Sequence, residues 1–237
     1  MTKKRITVLL AEDHHIVREG FRALLKHEPD IKVVGEAETG RQAVQLTRKL
    51  RPAVVVMDIA MPLLNGLEAT RQIRKDSPDT KVLILSAHSD DAYVEQATEL
   101  GVAGFLLKES PSLDLAAAIR DVERGKTLFS PSIYKGITDH ARKSPDAEGN
   151  FKKKSNRLSS REVEVLQLVA EGKPNKQIAA ELGVSFKTAD KHRQHLMDKL
   201  NIHDVAGLTR YAIAEGIIEI NVRATPPQSN PRYRSFA

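Results

Sequence analysis

A chain of 237 residues is long for one domain and comfortable for two, each burying its own core. It contains no cysteine, which excludes disulfides and thiolate metal sites and suits a reducing compartment. The net charge of +6 is divided unevenly: residues 1–125 hold 18 Lys+Arg and 19 Asp+Glu, a net of −1, and residues 126–237 hold 19 and 12, a net of +7. Only the second half is therefore expected to meet a polyanion. Between Lys3-Lys4-Arg5 and Glu12 lies a run too short for a signal-peptide core, and no stretch approaches a membrane span. The expectation is a cytoplasmic protein without a membrane partner.

From Ile6 to Gly125 apolar runs alternate with helical patterns five times. The expected strands are Ile6–Ala11, Lys32–Ala37, Ala53–Met57, Lys81–Ser86 and Gly104–Leu107. The expected helices are His15–Lys26, Arg41–Leu50, Leu64–Lys75, Asp91–Leu100 and Ser112–Arg124. In the first helix Val17, Phe21, Leu24 and Leu25 recur at helical spacing on one side. Such alternation implies βαβ crossovers and a doubly wound, five-stranded parallel sheet.

Val54-Val55-Val56-Met57 reads as a strand buried on both faces, and Asp58 stands where it runs out. Glu12 and Asp13 follow the first strand, Ser86 the fourth and Lys108 the fifth, so all gather on one rim of the sheet. Three carboxylates there repel one another, and a hard divalent cation such as Mg²⁺ is the usual remedy. A lysine and a hydroxyl beside it are placed to hold two further oxygens of a phosphoryl group. The plainer alternatives are that Asp58, Glu12 or Asp13 caps the following helix, that Lys108 is an ordinary surface lysine, and that Phe105 is a half-buried strand aromatic. After Asp58, Pro62 fixes φ and Gly66 permits a positive one, shaping the exit loop.

These pieces together resemble the receiver domain of two-component response regulators. The match consists of Glu12-Asp13, the D-x-x-M-P-x-x-x-G run from Asp58, Ser86-Ala87, and Gly104-Phe105-Leu106-Leu107-Lys108. The resemblance implies that Asp58 accepts a phosphoryl group from a histidine kinase. It further implies that Asp13, Asp58 and the Ala60 carbonyl hold Mg²⁺, with Glu12 acting mainly through water. Ser86 would bond the aspartyl phosphate, Lys108 would pair with it, and Phe105 would turn inward as the switch aromatic.

Residues 126–157 have linker composition, with room for a short helix at Pro131–Arg142. The run Lys152-Lys153-Lys154 is a solvated charge run that can add non-specific phosphate contacts. From Leu158 the pattern turns helical. Ser159 and Glu162 form a capping signature, and Val163, Leu166, Val169 and Ala170 follow at helical spacing until Gly172. Pro174-Asn175 opens a short helix ended by Gly183, Ser185 caps a third from about Phe186 to Leu200, and a fourth runs from about Asp204 to Glu215. A short helix, a Gly-containing turn and a longer polar helix make a helix-turn-helix.

This second half is similar to the LuxR-type DNA-binding domain of the NarL/FixJ class. The matching residues are Leu158-Ser159-x-Arg161-Glu162-x-Glu164-Val165-Leu166, Gly172, Asn175-Lys176-Gln177-Ile178-Ala179, Ser185-x-x-Thr188, His192 and Lys199-Leu200. The third helix would enter the major groove of duplex DNA, with Lys187, Lys191, Arg193 and Gln194 facing it. Thr188 and His192 would lie nearer the backbone or the core. Where the family usually has Thr-Val-Lys, this chain has Thr188-Ala189-Asp190, a carboxylate at a common base-contact position. An Asp accepts from cytosine N4, so altered readout is expected there. The tail, 221–237, has the composition of a disordered segment.

The domain expectation is thus 1–125 receiver, 126–157 linker, 158–220 all-α helix-turn-helix and 221–237 tail, acting as a homodimer when phosphorylated. No enzymatic activity is expected: an aspartyl-phosphate phosphatase wants a second Asp two residues after the first, where this chain has Ala60. A phosphorylation-independent or ligand-sensing LuxR-type regulator is the alternative. The intact acidic set and the lack of an aromatic-lined cavity signature speak against it.

Overall fold

The computed structural model describes residues 5–87, 91–108, 114–129 and 158–219. The first half is a parallel sheet of β1 (Ile6–Ala11), β2 (Ile31–Ala37), β3 (Val54–Asp58), β4 (Lys81–Ser86), β5 (Gly104–Leu107) and β6 (Leu128–Phe129), in the order β2-β1-β3-β4-β5-β6. Five helices cover it: α1 (His15–Lys26), α2 (Gly40–Leu50), α3 (Gly66–Asp76), α4 (Asp91–Glu99) and α5 (Leu115–Glu123). Alternate residues of each strand feed opposite faces. On one face Leu25 of α1 and Leu115, Ile119 and Val122 of α5 lie over Val8, Leu10, Val54, Val56, Leu83 and Leu85. On the other, residues of α2, α3 and α4 cover Leu9, Val55, Met57, Ile84 and Phe105. The central strands are buried on both sides, which is why they read as unbroken apolar runs.

Three details depart from the sequence expectation. A sixth strand extends the sheet: Leu128 and Phe129 pair in register with Gly104 and Phe105, in a stretch expected to be linker. Two residues are too short to show a period, so only the vacant edge of β5 reveals them. In α1, Val17, Phe21 and Leu25 turn inward, but Leu24 is 63% exposed, and Ile16 near the helix start is exposed as well. The inward stripe thus follows steps of four residues. In the loop after β3 the positive φ falls on Leu63 (67°), not on Gly66. Gly66 is needed for a different reason: a Cβ there would collide with the Asp58 carbonyl.

The second half consists of α6 (Ser160–Ala170), α7 (Asn175–Leu182), α8 (Phe186–Leu200) and α9 (Val205–Ala214). Their core gathers Val165, Leu166, Val169, Ile178, Leu182, Leu196, Leu208 and Ala212. Ser159 and Glu162 form a reciprocal capping box at the start of α6, and Ser185 accepts from Thr188 N at the start of α8. Gly183, at φ 63°, ends α7 in the left-handed region. The expected helix at Pro131–Arg142, the lysine run at 152–154 and the tail at 221–237 lie outside the described residues.

Candidate functional site

Parallel strands place their carboxyl ends on one rim, and register fixes which side chains meet there. Ala11 pairs with Met57, Asp58 with Leu85, and Ser86 with Leu107. Glu12 and Asp13, Asp58, Ser86 and Lys108 therefore converge at the ends of β1, β3, β4 and β5. Lys108 Nζ lies 2.7 Å from Glu12 Oε2 and 2.9 Å from Asp58 Oδ1, joining two strand ends to a third. Its backbone N–H donates to the Ser86 carbonyl at 2.8 Å. Glu12, Asp58 and Ser86 are all buried.

None of the capping alternatives holds. The N-cap of α1 is His14, which makes no side-chain cap, and α3 is capped by Asn65. Asp58 instead accepts from the next backbone N–H, Ile59 N, at 2.9 Å. Lys108 is no free surface lysine, since it is held between two carboxylates. Phe105 is fully buried rather than half-buried, because β6 and the helices of its face close over it.

The electrostatics follow from packing three carboxylates against one ammonium. Burial pushes the Asp58 carboxyl up from its ordinary 3.8 to about 6, with Glu12 and Asp13 adding to the rise and Lys108 opposing it. Burial works against the Lys108 ammonium, but the charges of Asp58 and Glu12 outweigh it and raise its pKa. One ligand atom each from Glu12, Asp13, His14 and Asp58 lies within 4.8 Å of the others. Asp13 Oδ1 is buried without a hydrogen-bond partner, although His14 Nδ1 stands 2.9 Å away out of alignment. An orphaned carboxylate oxygen among hard oxygen donors fits a divalent cation of the Mg²⁺ type. Ala60 lies two residues beyond Asp58 in the same loop.

Two residues of this rim escape sequence reasoning. His14 donates from its backbone to Glu12 Oε1 at 3.2 Å, with Nδ1 at the same distance. Arg18 is buried in α1, where its Nη1 donates to the Glu12 carbonyl at 2.7 Å and its Nη2 to Glu38 at 2.6 Å. An arginine in an amphipathic helix looks like a surface residue in sequence, and nothing there signals its inward turn.

The loop that follows Asp58 is gripped by the helical half. Gln167 of α6 accepts from Asn65 N at 2.7 Å and donates to the Met61 carbonyl at 2.9 Å. Glu171 accepts from Leu63 N at 2.9 Å, and Asn65 Nδ2 donates to the Ile217 carbonyl at 3.1 Å. Glu164 accepts from Gln72 Nε2 at 2.7 Å and from Arg41 Nη2 at 3.1 Å. The Leu63 side chain packs against the helical core. This is why α6 buries Glu164 and Gln167 as well as its apolar stripe.

This docking leaves α8 open. Lys187, Thr188, Asp190, Lys191 and Gln194 are exposed, and Arg193 and His192 are half-buried. Thr188 thus stands outward rather than in the core, with its hydroxyl 2.8 Å from that of Ser185. Asp190 pairs with neither Lys187 nor Arg193 directly: Asn175 Nδ2 donates to Asp190 Oδ1 at 2.7 Å, and Arg193 Nη1 donates to Asn175 Oδ1 at 2.9 Å. Phe186, 59% exposed in the first turn, is a further candidate contact, signalled only by an aromatic directly after the capping serine.

A buried acidic rim bridged by one lysine on a doubly wound sheet, joined to a helix-turn-helix, has the make-up of a receiver coupled to a DNA-binding domain. The family model for the response regulator receiver domain matches residues 8–120, and that for bacterial regulatory proteins of the luxR family matches residues 156–212. The oxygen regulatory protein NreC of Staphylococcus carnosus is 36% identical, over 90% of this chain and 99% of its own. The transcriptional regulatory protein DegU of Brevibacillus brevis is 34% identical, over 93% and 98%. Among solved structures, the Salmonella typhimurium RcsB response regulator aligns with a TM-score of 0.54 at 27% identity, over 89% of this chain and 99% of that one. RcsB dimers bound to two parallel DNAs give 0.53 at 27% identity, over 88% and 98%. The chain belongs to the response regulators of the NarL/FixJ class, a receiver domain followed by a LuxR-type DNA-binding domain. It is a DNA-binding transcriptional regulator. Among the described residues no helix is long and apolar enough to cross a membrane.

Proposed function

We propose that Asp58 takes a phosphoryl group from a histidine kinase and that this controls how α8 engages duplex DNA. The observation that carries the reading is the buried Asp58 carboxylate, 2.9 Å from Lys108 Nζ and facing the acidic pair Glu12-Asp13. An Asp58 oxygen attacks phosphorus, the phosphorus–nitrogen bond of the phosphohistidine breaks, and the imidazole leaves with its electron pair. Glu12, Asp13, Asp58 and the Ala60 carbonyl would hold Mg²⁺, which supplies positive charge for the transferring oxygens. Lys108 holds one phosphoryl oxygen by charge, and the Ser86 hydroxyl donates to another. Phe105, already inside, is the switch aromatic that follows Ser86.

In the second half, α8 enters the major groove. Lys187, Lys191, Arg193 and Gln194 are the groove-facing side chains, with Thr188 and Asp190 beside them. RcsB dimers on DNA support a homodimer as the binding form, since a two-fold protein matches two half-sites. The test is labelling. Incubation with a small phosphodonor and Mg²⁺ should modify wild type and leave Asp58→Asn unmodified, and phosphorylated wild type should bind duplex DNA more tightly. Equal labelling of the two proteins would overturn the assignment of Asp58.

A further inference from the structure

We propose that Asn175 is a positioning residue for sequence readout, holding Asp190 and Arg193 as a fixed acceptor–donor pair on the exposed side of α8. The proposal rests on the reading that α8 is the groove-facing helix. Asn175 opens α7, and its carboxamide spans to α8. Nδ2 donates to Asp190 Oδ1 at 2.7 Å, and Oδ1 accepts from Arg193 Nη1 at 2.9 Å.

The chemistry permits only this orientation of the amide. A carboxylate only accepts and a guanidinium only donates, so the amide nitrogen must face Asp190 and its oxygen Arg193. Asp190 and Arg193 stand three residues apart on one helix face, close enough to neutralise each other directly. Asn175 intervenes and uses one carboxylate oxygen and one guanidinium nitrogen. The second carboxylate oxygen and the other guanidinium N–H groups keep their capacity, and both heads lose rotamer freedom. A lysine at 190 would compete with Arg193 for the same amide oxygen. The network therefore depends on the acid at 190.

An acceptor and a donor presented side by side complement one base pair in particular. On the major-groove edge of a C·G pair the cytosine N4 amino group donates, and guanine O6 and N7 accept. An A·T pair also offers an amino donor, from adenine, but pairs it with a thymine oxygen and a methyl group that suit arginine less well. The structure thus points to Asn175 as the residue that makes position 190 selective for C·G.

The experiment is selection of bound sequences from a random duplex library by the full-length chain, phosphorylated or not, in wild type, Asn175→Ala, Asn175→Asp and Asp190→Ala. Direct titrations on the selected site and on its single-pair variants follow, with melting curves to monitor folding. Wild type should favour C·G at one pair of the half-site, and Asn175→Ala should reduce that preference about tenfold, as for loss of one oriented base contact. In the Asp190→Ala background the further change Asn175→Ala should have no effect at that pair. The readout is a ratio of affinities within one protein, which a smaller folded fraction cannot move. Asn175→Asp keeps the size of the side chain, repels Asp190 and should also lose the preference, so the test survives if the alanine variant does not fold. An unchanged motif in both Asn175 variants would overturn this proposal and leave the DNA-binding reading intact. No duplex binding by wild type would overturn both.

Discussion

Gln167 clasps the backbone of the loop after Asp58 from both ends of its carboxamide, accepting from Asn65 N at 2.7 Å and donating to the Met61 carbonyl at 2.9 Å, with a further bond from Nε2 to Glu171 Oε1 at 2.8 Å. Asn65 in turn caps α3, and a Cβ at the next residue, Gly66, would collide with the Asp58 carbonyl, so the clasp ends one short step from Asp58.

Gln167→Ala should open this clasp. It leaves the buried Asn65 N–H without its acceptor, a loss of about 1–3 kcal/mol in the contact between the two halves. Amide exchange at Leu63 and Asn65 should accelerate at least tenfold while exchange in the β3 strand stays slow. Equal protection of the loop in both proteins would show that Gln167 does not hold it.

Asp58 carries a pH dependence whose sign is set by burial. Its folded pKa, about 6, lies above the ordinary 3.8, so folding favours the protonated form. Its contribution is fully present below about pH 4 and is lost as pH rises through about 6. Without divalent ions, Asp58→Asn should be more stable than wild type at pH 7.5 by about 1–3 kcal/mol, and the gap should close by pH 4. Added Mg²⁺ should raise the melting temperature of wild type at pH 7.5 and much less at pH 5, where protons compete for the same oxygen. Thermal melts across pH 4–8, with and without Mg²⁺, check all three outcomes.

Lys108→Met should be costly before any chemistry is measured. It removes the ammonium that lies 2.7 Å from Glu12 and 2.9 Å from Asp58, leaving buried carboxylates that repel. A loss of about 3 kcal/mol in urea unfolding is expected without divalent ions. Mg²⁺ should restore a larger share of stability to this variant than it adds to wild type. Identical Mg²⁺ increments would show that the lysine and the cation do not share the same carboxylates.

Asp190→Lys tests the charge of α8. Replacing an anion by a cation on exposed α8 should raise non-specific affinity and steepen the slope of log affinity against log salt by about 1. The preferred half-site should change at one or two base pairs, because lysine reads guanine acceptors. A uniform change in affinity with an unchanged motif would show that Asp190 does not face bases.

The alternation of apolar runs with amphipathic stretches was enough to name five strands, nine helices and the rim where Glu12, Asp13, Asp58, Ser86 and Lys108 meet. That works because strand ends in a parallel sheet share one edge, and residue order alone decides which side chain follows each strand. The capping box at Ser159 and the stop at Gly183 were legible for a similar reason, since each is a local contest for helix-end hydrogen bonds. Contacts between segments far apart in the chain were not legible. Arg18 reads as an outer-face arginine until Glu12, Glu36 and Glu38 surround it. Gln167 reads as a polar position on α6 until the loop at 61–65 covers it, and Asn175 as a helix opener until α8 brings Asp190 and Arg193 to its amide. Hydrophobic period reports only whether a side chain faces the core of its own element. A buried polar residue breaks that period, and its partner is chosen by the packing of distant elements, which only the tertiary structure decides.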